Sequence, residues 1–238
     1  MHKEYFNYIV LGIKNLENTQ LENIDKAAEF VGQTIINGKH VFTFGSGHSQ
    51  LVAREVVERA GGLVPVYHLP DPIWGMAEQI EGYGKRLISQ YPIKADDLII
   101  VISNSGRNPE PIEVAQEAKE IGLKVIVITS LQHSKAVKSR HSSGKLLFEF
   151  GDVVIDNGAP KGDAVVSFKG ISTKAGALST IMGTSIMNAI MVEAIQYLLD
   201  RDYSPPILLS FNVDGSEEHN NEMMSRYKEM KWAPRYFF

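Results

Sequence analysis

From residue 40 onward, short runs rich in Val and Ile alternate with stretches of helical spacing. This alternation constrains the fold more than any other feature. The runs at 41–44, 63–69, 98–102, 124–129 and 153–156 are predicted strands. The intervening segments 50–60, 76–90 and 111–121 are predicted helices, with a short helix near 134–138. Runs this apolar are expected of parallel strands covered on both faces. Strand–helix alternation is the pattern of a doubly wound α/β sheet. Such sheets bind ligands beyond the carboxyl ends of their strands, where the strand order reverses.

Helical segments flank this core. Phe6, Ile9, Val10, Ile13 and Leu16, then Leu21, Ile24, Ala28, Val31 and Ile35, recur at helical spacing over residues 3–37. Thr19 and Glu22 have the spacing of a capping box, which places a break near Asn18, and Gly38 is a stop signal. Residues 157–175 form a long polar loop with a small strand near 165–168. The stretch 176–199 is apolar almost all round. Asn188, Glu193 and several Ser and Thr make it a buried core or interface helix rather than a membrane span. A polar turn at 212–216, a helix over 217–229 and the aromatic end Trp232-Ala-Pro-Arg-Tyr-Phe-Phe238 complete the chain. The aromatic end reads as a packing or subunit-contact element. One domain is expected, with a helical extension at 1–38, a core at 39–200 and a C-terminal extension at 201–238.

Composition narrows the function. Net charge is −4 and no basic stripe follows a predicted helix. Phosphate-backbone binding needs clustered Lys and Arg, so no nucleic-acid partner is expected. With no cysteine, thiol catalysis, disulfides and cysteine-ligated zinc are excluded. The first residues lack the apolar run of a signal peptide. A cytoplasmic location away from membranes is the expectation.

Two strand ends carry the chemistry. Val41-Phe-Thr-Phe runs into Gly45-Ser46-Gly47-His48-Ser49, and Ile99-Ile-Val-Ile into Ser103-Asn104-Ser105-Gly106-Arg107-Asn108. Each is a loop of glycine and hydroxyl side chains at a helix start. Unpaired backbone N–H groups there favour an anion, and hydroxyls add neutral donors. Two such loops suggest a ligand with a phosphate and a polar body. Gly45-x-Gly47 lacks the third glycine of a dinucleotide fingerprint, and no Gly-Lys-Ser/Thr phosphate loop occurs. No cofactor is expected. No His-x-x-x-His spacing supports a metal.

At these loops the sequence resembles the sugar isomerase, or SIS, domain family. That family has a Gly-x-Ser turn first and a Ser-x-Ser-Gly-x-Thr turn second; here Asn108 stands where Thr is usual. Arg59-Ala-Gly-Gly62, Glu81-Gly-Tyr83, Asp156-Asn-Gly-Ala-Pro-Lys-Gly-Asp163 and Asn212-Val-Asp-Gly-Ser-Glu-Glu-His-Asn220 look like those of bacterial SIS proteins. This subgroup is related to phosphoheptose isomerases and muramic acid phosphate etherases. The resemblance implies a three-layer αβα sandwich around a five-stranded parallel, flavodoxin-like sheet. It implies that Ser49, Ser103, Asn104, Ser105 and Asn108 hold the phosphate of a phosphosugar, with Gly47, His48 and Gly106 shaping the cradle. It also implies a homodimer or homotetramer whose sites borrow residues across subunits.

Aldose–ketose isomerisation needs a base near the carbon that loses a proton and a second group to move protons among oxygens. Glu81, beside Gly82, and Glu55, on the helix leaving the first loop, are candidate bases. His219 is the candidate proton shuttle. Arg59 stands one helical turn past Glu55 and serves either the site or an ordinary i,i+4 pair. Asp156 and Asp163, and Asn212 and Asp214, are candidate sugar ligands that equally suit turns and helix caps. Glu193 is either a catalytic match or a buried, paired carboxylate. The leading expectation is a sugar phosphate isomerase. An etherase or lyase acting on an amino-sugar phosphate, and a non-catalytic phosphosugar sensor, are the alternatives.

Overall fold

Two helices precede the first strand, α1 (His2–Thr19) and α2 (Leu21–Ile36). The structure is a computed structural model that describes residues 1–227. The aromatic end at 232–238, and the last residues of the helix expected over 217–229, lie outside the described residues. The break between α1 and α2 falls at Gln20, and no capping box forms. The Thr19 hydroxyl turns back to donate to the Asn15 carbonyl at 2.7 Å, which leaves the α2 start without a side-chain cap.

Five parallel strands follow: β1 (Val41–Gly45), β2 (Val66–His68), β3 (Leu98–Ile102), β4 (Lys124–Thr129) and β5 (Val153–Asp156). Their order is β2-β1-β3-β4-β5. The chain adds β2 on one side of β1 and then β3 on the other, so the direction of winding reverses between β1 and β3. This is the flavodoxin-like order with its switch point. Helices α3 (Ser49–Arg54), α4 (Tyr83–Ile88), α5 (Pro109–Ile121) and α6 (Leu131–Ser134) connect the strands.

Successive strand residues feed opposite faces, as the pleat requires. Leu98, Ile100 and Ile102 join a core with α2 and a later helix, α7 (Ser179–Leu199). Ile99 and Val101 join a second core with α4 and α5. Burying a side chain of this size stabilises by about 1.5–3 kcal/mol, and both faces of β3 are covered.

Between β5 and α7 lies a two-stranded antiparallel hairpin, β6 (Ala164–Phe168) and β7 (Ile171–Ala177). Its turn is Lys169-Gly170, with Gly170 at φ 80°. Among the described residues α7 is the one helix long and apolar enough to cross a membrane by length and composition. It packs on α2 and buries Met182, Ile186, Met187, Ile190, Ala194 and Leu198. An added Cβ at Gly32 would meet the Tyr197 ring, so the two helices approach closely there. The chain then returns to pair Ile207 with Leu63 and ends its described part in α8 (Ser216–Ser225).

Three expected helices change. The one expected over 50–60 stops at Arg54, with turns beyond and Glu58 at φ 51°. The one expected over 76–90 shrinks to α4, which starts only after Gly82, whose φ of 87° a helix does not contain. The one expected near 134–138 instead spans α6, where the Ser130 hydroxyl accepts the His133 N–H at 3.0 Å.

Candidate ligand site at the switch point

The first serine loop bends directly off β1. The Ser49 and Gln50 amides donate to the Ser46 and Gly47 carbonyls at 3.1 and 3.0 Å. Gly47 has φ 55°. This tight turn sets Ser46, Gly47, His48 and Ser49 along one wall of a cleft of about 300 Å³ at the carboxyl ends of β1 and β3. That volume stands at the lower end for small-molecule sites.

A third loop, after β2, forms the roof. The Asp71 carboxylate accepts the Ile73 N–H at 3.2 Å and the Tyr83 hydroxyl at 2.9 Å, and also takes the Gly75 N–H. The Asp71 N–H donates to the Gln50 side chain at 2.8 Å, which ties this loop to α3. Trp74, at φ 52°, is thereby held half-exposed at the cleft rim beside Gly75 and Glu78. A Cβ on Gly75 would stand 3.0 Å from both the Gly47 nitrogen and the Ser46 hydroxyl, so glycine lets the two loops touch.

The second serine loop contributes less than expected. Its part of the cleft wall comes from Ile102 and Asn104. The Asn104 side-chain oxygen accepts the Asn157 amide at 3.1 Å, which links the ends of β3 and β5. Ser103, Ser105, Gly106 and Asn108 lie beside the cleft. The Ser103 hydroxyl accepts the Gly106 N–H at 3.2 Å, and Asn108 accepts the Arg140 guanidinium at 2.9 Å. The α5 start does not supply the expected row of free amides. Pro109 and Pro111 have no N–H, and the Glu110 N–H donates to the Glu78 carbonyl at 3.1 Å. The polar side chain that this loop brings to the cleft is that of Asn104.

Asp163 closes the far wall. Its carboxylate accepts the Leu178 N–H at 3.0 Å, the Ser179 N–H at 2.7 Å and the Ser179 hydroxyl at 2.7 Å. It caps α7, whose first residues Ser179 and Thr180 also line the cleft. Behind the first loop, Glu110 is fully buried and accepts the Ser46 hydroxyl at 2.6 Å. Its other carboxylate oxygen has no partner. Burial, with Asp71, Glu78 and Glu113 nearby, pushes its pKa up to about 7 despite the Ser46 bond.

Several expected site residues lie elsewhere. Glu81 is exposed and accepts the Ser142 N–H at 2.5 Å, a bond that holds its pKa down. Glu55 follows the last residue of α3 and pairs with Arg59 in the turns beyond it, both outside the cleft lining. His219 bonds the Ile207 carbonyl at 2.9 Å and Asn212 and Asp214 are exposed, all outside the cleft. Asp156 accepts the Leu131 and Gly158 amides at 3.0 Å each, a structural cap outside the lining. Glu193 is exposed on α7 rather than buried. Apart from these, His68 at the end of β2 is half-buried beside β1, where desolvation lowers its pKa to about 4.

Trp74, Glu78, Ser179 and Thr180 also line the cleft, beside Ser46 and Asn157 from the quoted motifs. Of these four only Trp74 has a local signal, the Asp71-Pro72…Gly75 turn. Among the described residues no group of three His, Cys, Asp or Glu side chains is placed to hold a metal.

An open parallel sheet with serine loops converging on its switch point defines a doubly wound α/β ligand-binding protein. The model of the SIS domain matches residues 4–130, and the chain belongs to the SIS domain family. Within it, the chain is 39% identical to a UPF0309 protein of Geobacillus thermodenitrificans, over 96% of each chain. The fold is similar to that of a phosphoheptose isomerase from Francisella tularensis, with TM-score 0.57 and 16% identity over 82% of this chain and 96% of that one. It is also similar to the sugar isomerase domain of an RpiR transcription factor from Sphaerobacter thermophilus, with TM-score 0.55 and 19% identity over 84% and 93% of the two chains.

Proposed function

We propose that the protein binds a phosphorylated sugar in the switch-point cleft and isomerises it between aldose and ketose forms. The observation that carries this reading is the convergence of Ser46, Ser49 and Asn104 with two titratable side chains, Glu78 and His48, in one small cleft. The phosphate sits against the serine loops, where neutral donors match its oxygens without a fixed cation. The sugar body extends under Trp74 toward Glu78.

The chemistry asked of the site is modest. Glu78 takes the proton from the carbon next to the carbonyl, which leaves an enediol. His48 moves a proton between the two oxygens, and Glu78 returns its proton to the neighbouring carbon. Atoms and charge balance, and no oxidant is required. A positioned base of this kind contributes about 10²–10⁴-fold. Glu78 replaces Glu81 in this role because it lines the cleft and Glu81 does not.

A homodimer or homotetramer is part of the proposal, with His219 serving a neighbour's cleft, since it lies outside its own. The test is deuterium exchange from solvent at the carbon next to the carbonyl, measured across hexose, heptose and amino-sugar phosphates. Exchange with at least one is expected. Binding without exchange would turn the reading to a sensor, and release of a leaving group would turn it to a lyase.

A further inference from the structure

The buried carboxylate behind the cleft has no part in the chemistry above, yet it is joined to a residue that lines the cleft. Glu110 lies in the first turn of α5 with no exposed surface. Its Oε2 is 2.6 Å from the Ser46 hydroxyl, and its Oε1 is buried without a partner. A hydroxyl has a single hydrogen. If Glu110 is ionised, the Ser46 hydrogen goes to Glu110 and only lone pairs face the cleft. If Glu110 is protonated, it donates to Ser46, whose own hydrogen is then free to point at a ligand.

We propose that Glu110 is a positioning residue that sets the direction of the Ser46 hydroxyl, so that anion binding in the cleft takes up a proton. The inference rests on the reading of this cleft as an anion site. A bound dianion repels an ionised Glu110 and needs the Ser46 donor, so both effects favour the protonated carboxyl. The surroundings point the same way. Asp71 and Glu78 approach from the loop after β2, Tyr83 from α4 and Glu113 from α5, and each but the tyrosine is an acid. Glu113 spends its charge on the Gly82 and Gly84 amides at 2.5 and 2.9 Å, with His141 3.6 Å away. His48 and Asp163 are the other titratable groups of the cleft. The elevated pKa of Glu110, about 7, places the change within the physiological range.

The probe is inorganic sulfate, a tetrahedral dianion that does not titrate in this range. Calorimetry at about pH 8, in buffers of different ionisation enthalpy, reads protons taken up on binding. Wild type is expected to take up close to one proton, and its affinity to fall by up to tenfold per pH unit above about pH 7. Glu110→Gln, whose amide still donates to Ser46, should bind sulfate with no uptake and no such slope. Ser46→Ala keeps Glu110 in place and carries the test if Glu110→Gln fails to fold. It should bind more weakly and lose most of the uptake. Uptake that survives undiminished in Ser46→Ala, or is lost only in His48→Gln, overturns the proposal. Sulfate binding to wild type without uptake also overturns it and leaves the cleft assignment standing. No sulfate binding at any pH overturns the cleft assignment and the proposal together.

Discussion

The Asp163 carboxylate accepts the Ser179 hydroxyl at 2.7 Å and, in the same cap, the Ser179 amide at 2.7 Å. This relationship means that the α7 start, though it lines the cleft, already has its anion. On the proposed reading, a ligand phosphate would go to the serine loop on the opposite wall. Asp163→Ala is expected to cost about 1–2 kcal/mol in stability, read by urea denaturation. An unchanged midpoint would show that the cap carries no weight.

The second loop depends on one backbone conformation. Gly106 has φ 58°, and a Cβ there would stand 2.9 Å from the Ser134 hydroxyl and 3.3 Å from Leu147. Gly106→Ala is expected to destabilise by about 2 kcal/mol, from left-handed strain and the displaced Ser134. Because Ser134 also donates to the Ser105 carbonyl at 2.9 Å, ligand affinity should fall with it. A thermal melt with and without ligand separates the two losses. A melt like wild type would contradict the loop geometry.

Glu110 and His68 give stability opposite slopes with pH. Glu110 is raised from 4.5 to about 7, so its contribution is complete below about pH 4.5 and is lost as pH rises through about 7. The span is about 3 kcal/mol. His68 is lowered from 6.5 to about 4, chiefly by desolvation, so its contribution is complete above about pH 6.5 and is lost as pH falls through about 4. Denaturation across this range should show Glu110→Gln flattening the neutral limb and His68→Asn flattening the acid limb. Parallel curves for all three proteins would refute both assignments.

Much of the fold is legible in the sequence, and the reason is local. Strands β3 and β4 fall on the apolar runs expected at 98–102 and 124–129 because strands buried on both faces need no partner pattern to be recognised, and β5 falls on the run at 153–156 with alternate residues buried. Strand β7 escaped because none of its residues is buried, so it carries no alternation. Its Lys169-Gly170 turn was the available signal. The expected range for α4 is too long because helical spacing says nothing about the positive φ of Gly82.

The site divides in the same way. Glycine–serine loops at strand ends can be read from neighbours in sequence, and the first one lines the cleft. Glu78 and Glu110 can only be read from contacts across the fold. Glu110 sits between two prolines at a helix start, where sequence alone suggests an exposed cap. The prolines themselves were a readable sign that the α5 start has few amides to offer.

The base is tested by comparing two glutamates three residues apart. Glu78→Gln should end solvent deuterium exchange, a loss of about 10²-fold or more, with sugar phosphate binding kept. Glu81→Gln should retain exchange. The reverse result would return the base to Glu81 and require the loop after β2 to rearrange on binding.

The central claim is that the cleft recognises a phosphate attached to a sugar. Calorimetric titration of the wild-type protein with sugar phosphates, each beside its unphosphorylated sugar, tests it most directly. Phosphorylated forms alone should bind, and Ser49→Ala or Asn104→Ala should weaken binding by about tenfold, the worth of one charge-assisted hydrogen bond. Equal binding of the free sugars, or affinity untouched by both substitutions, would contradict the account.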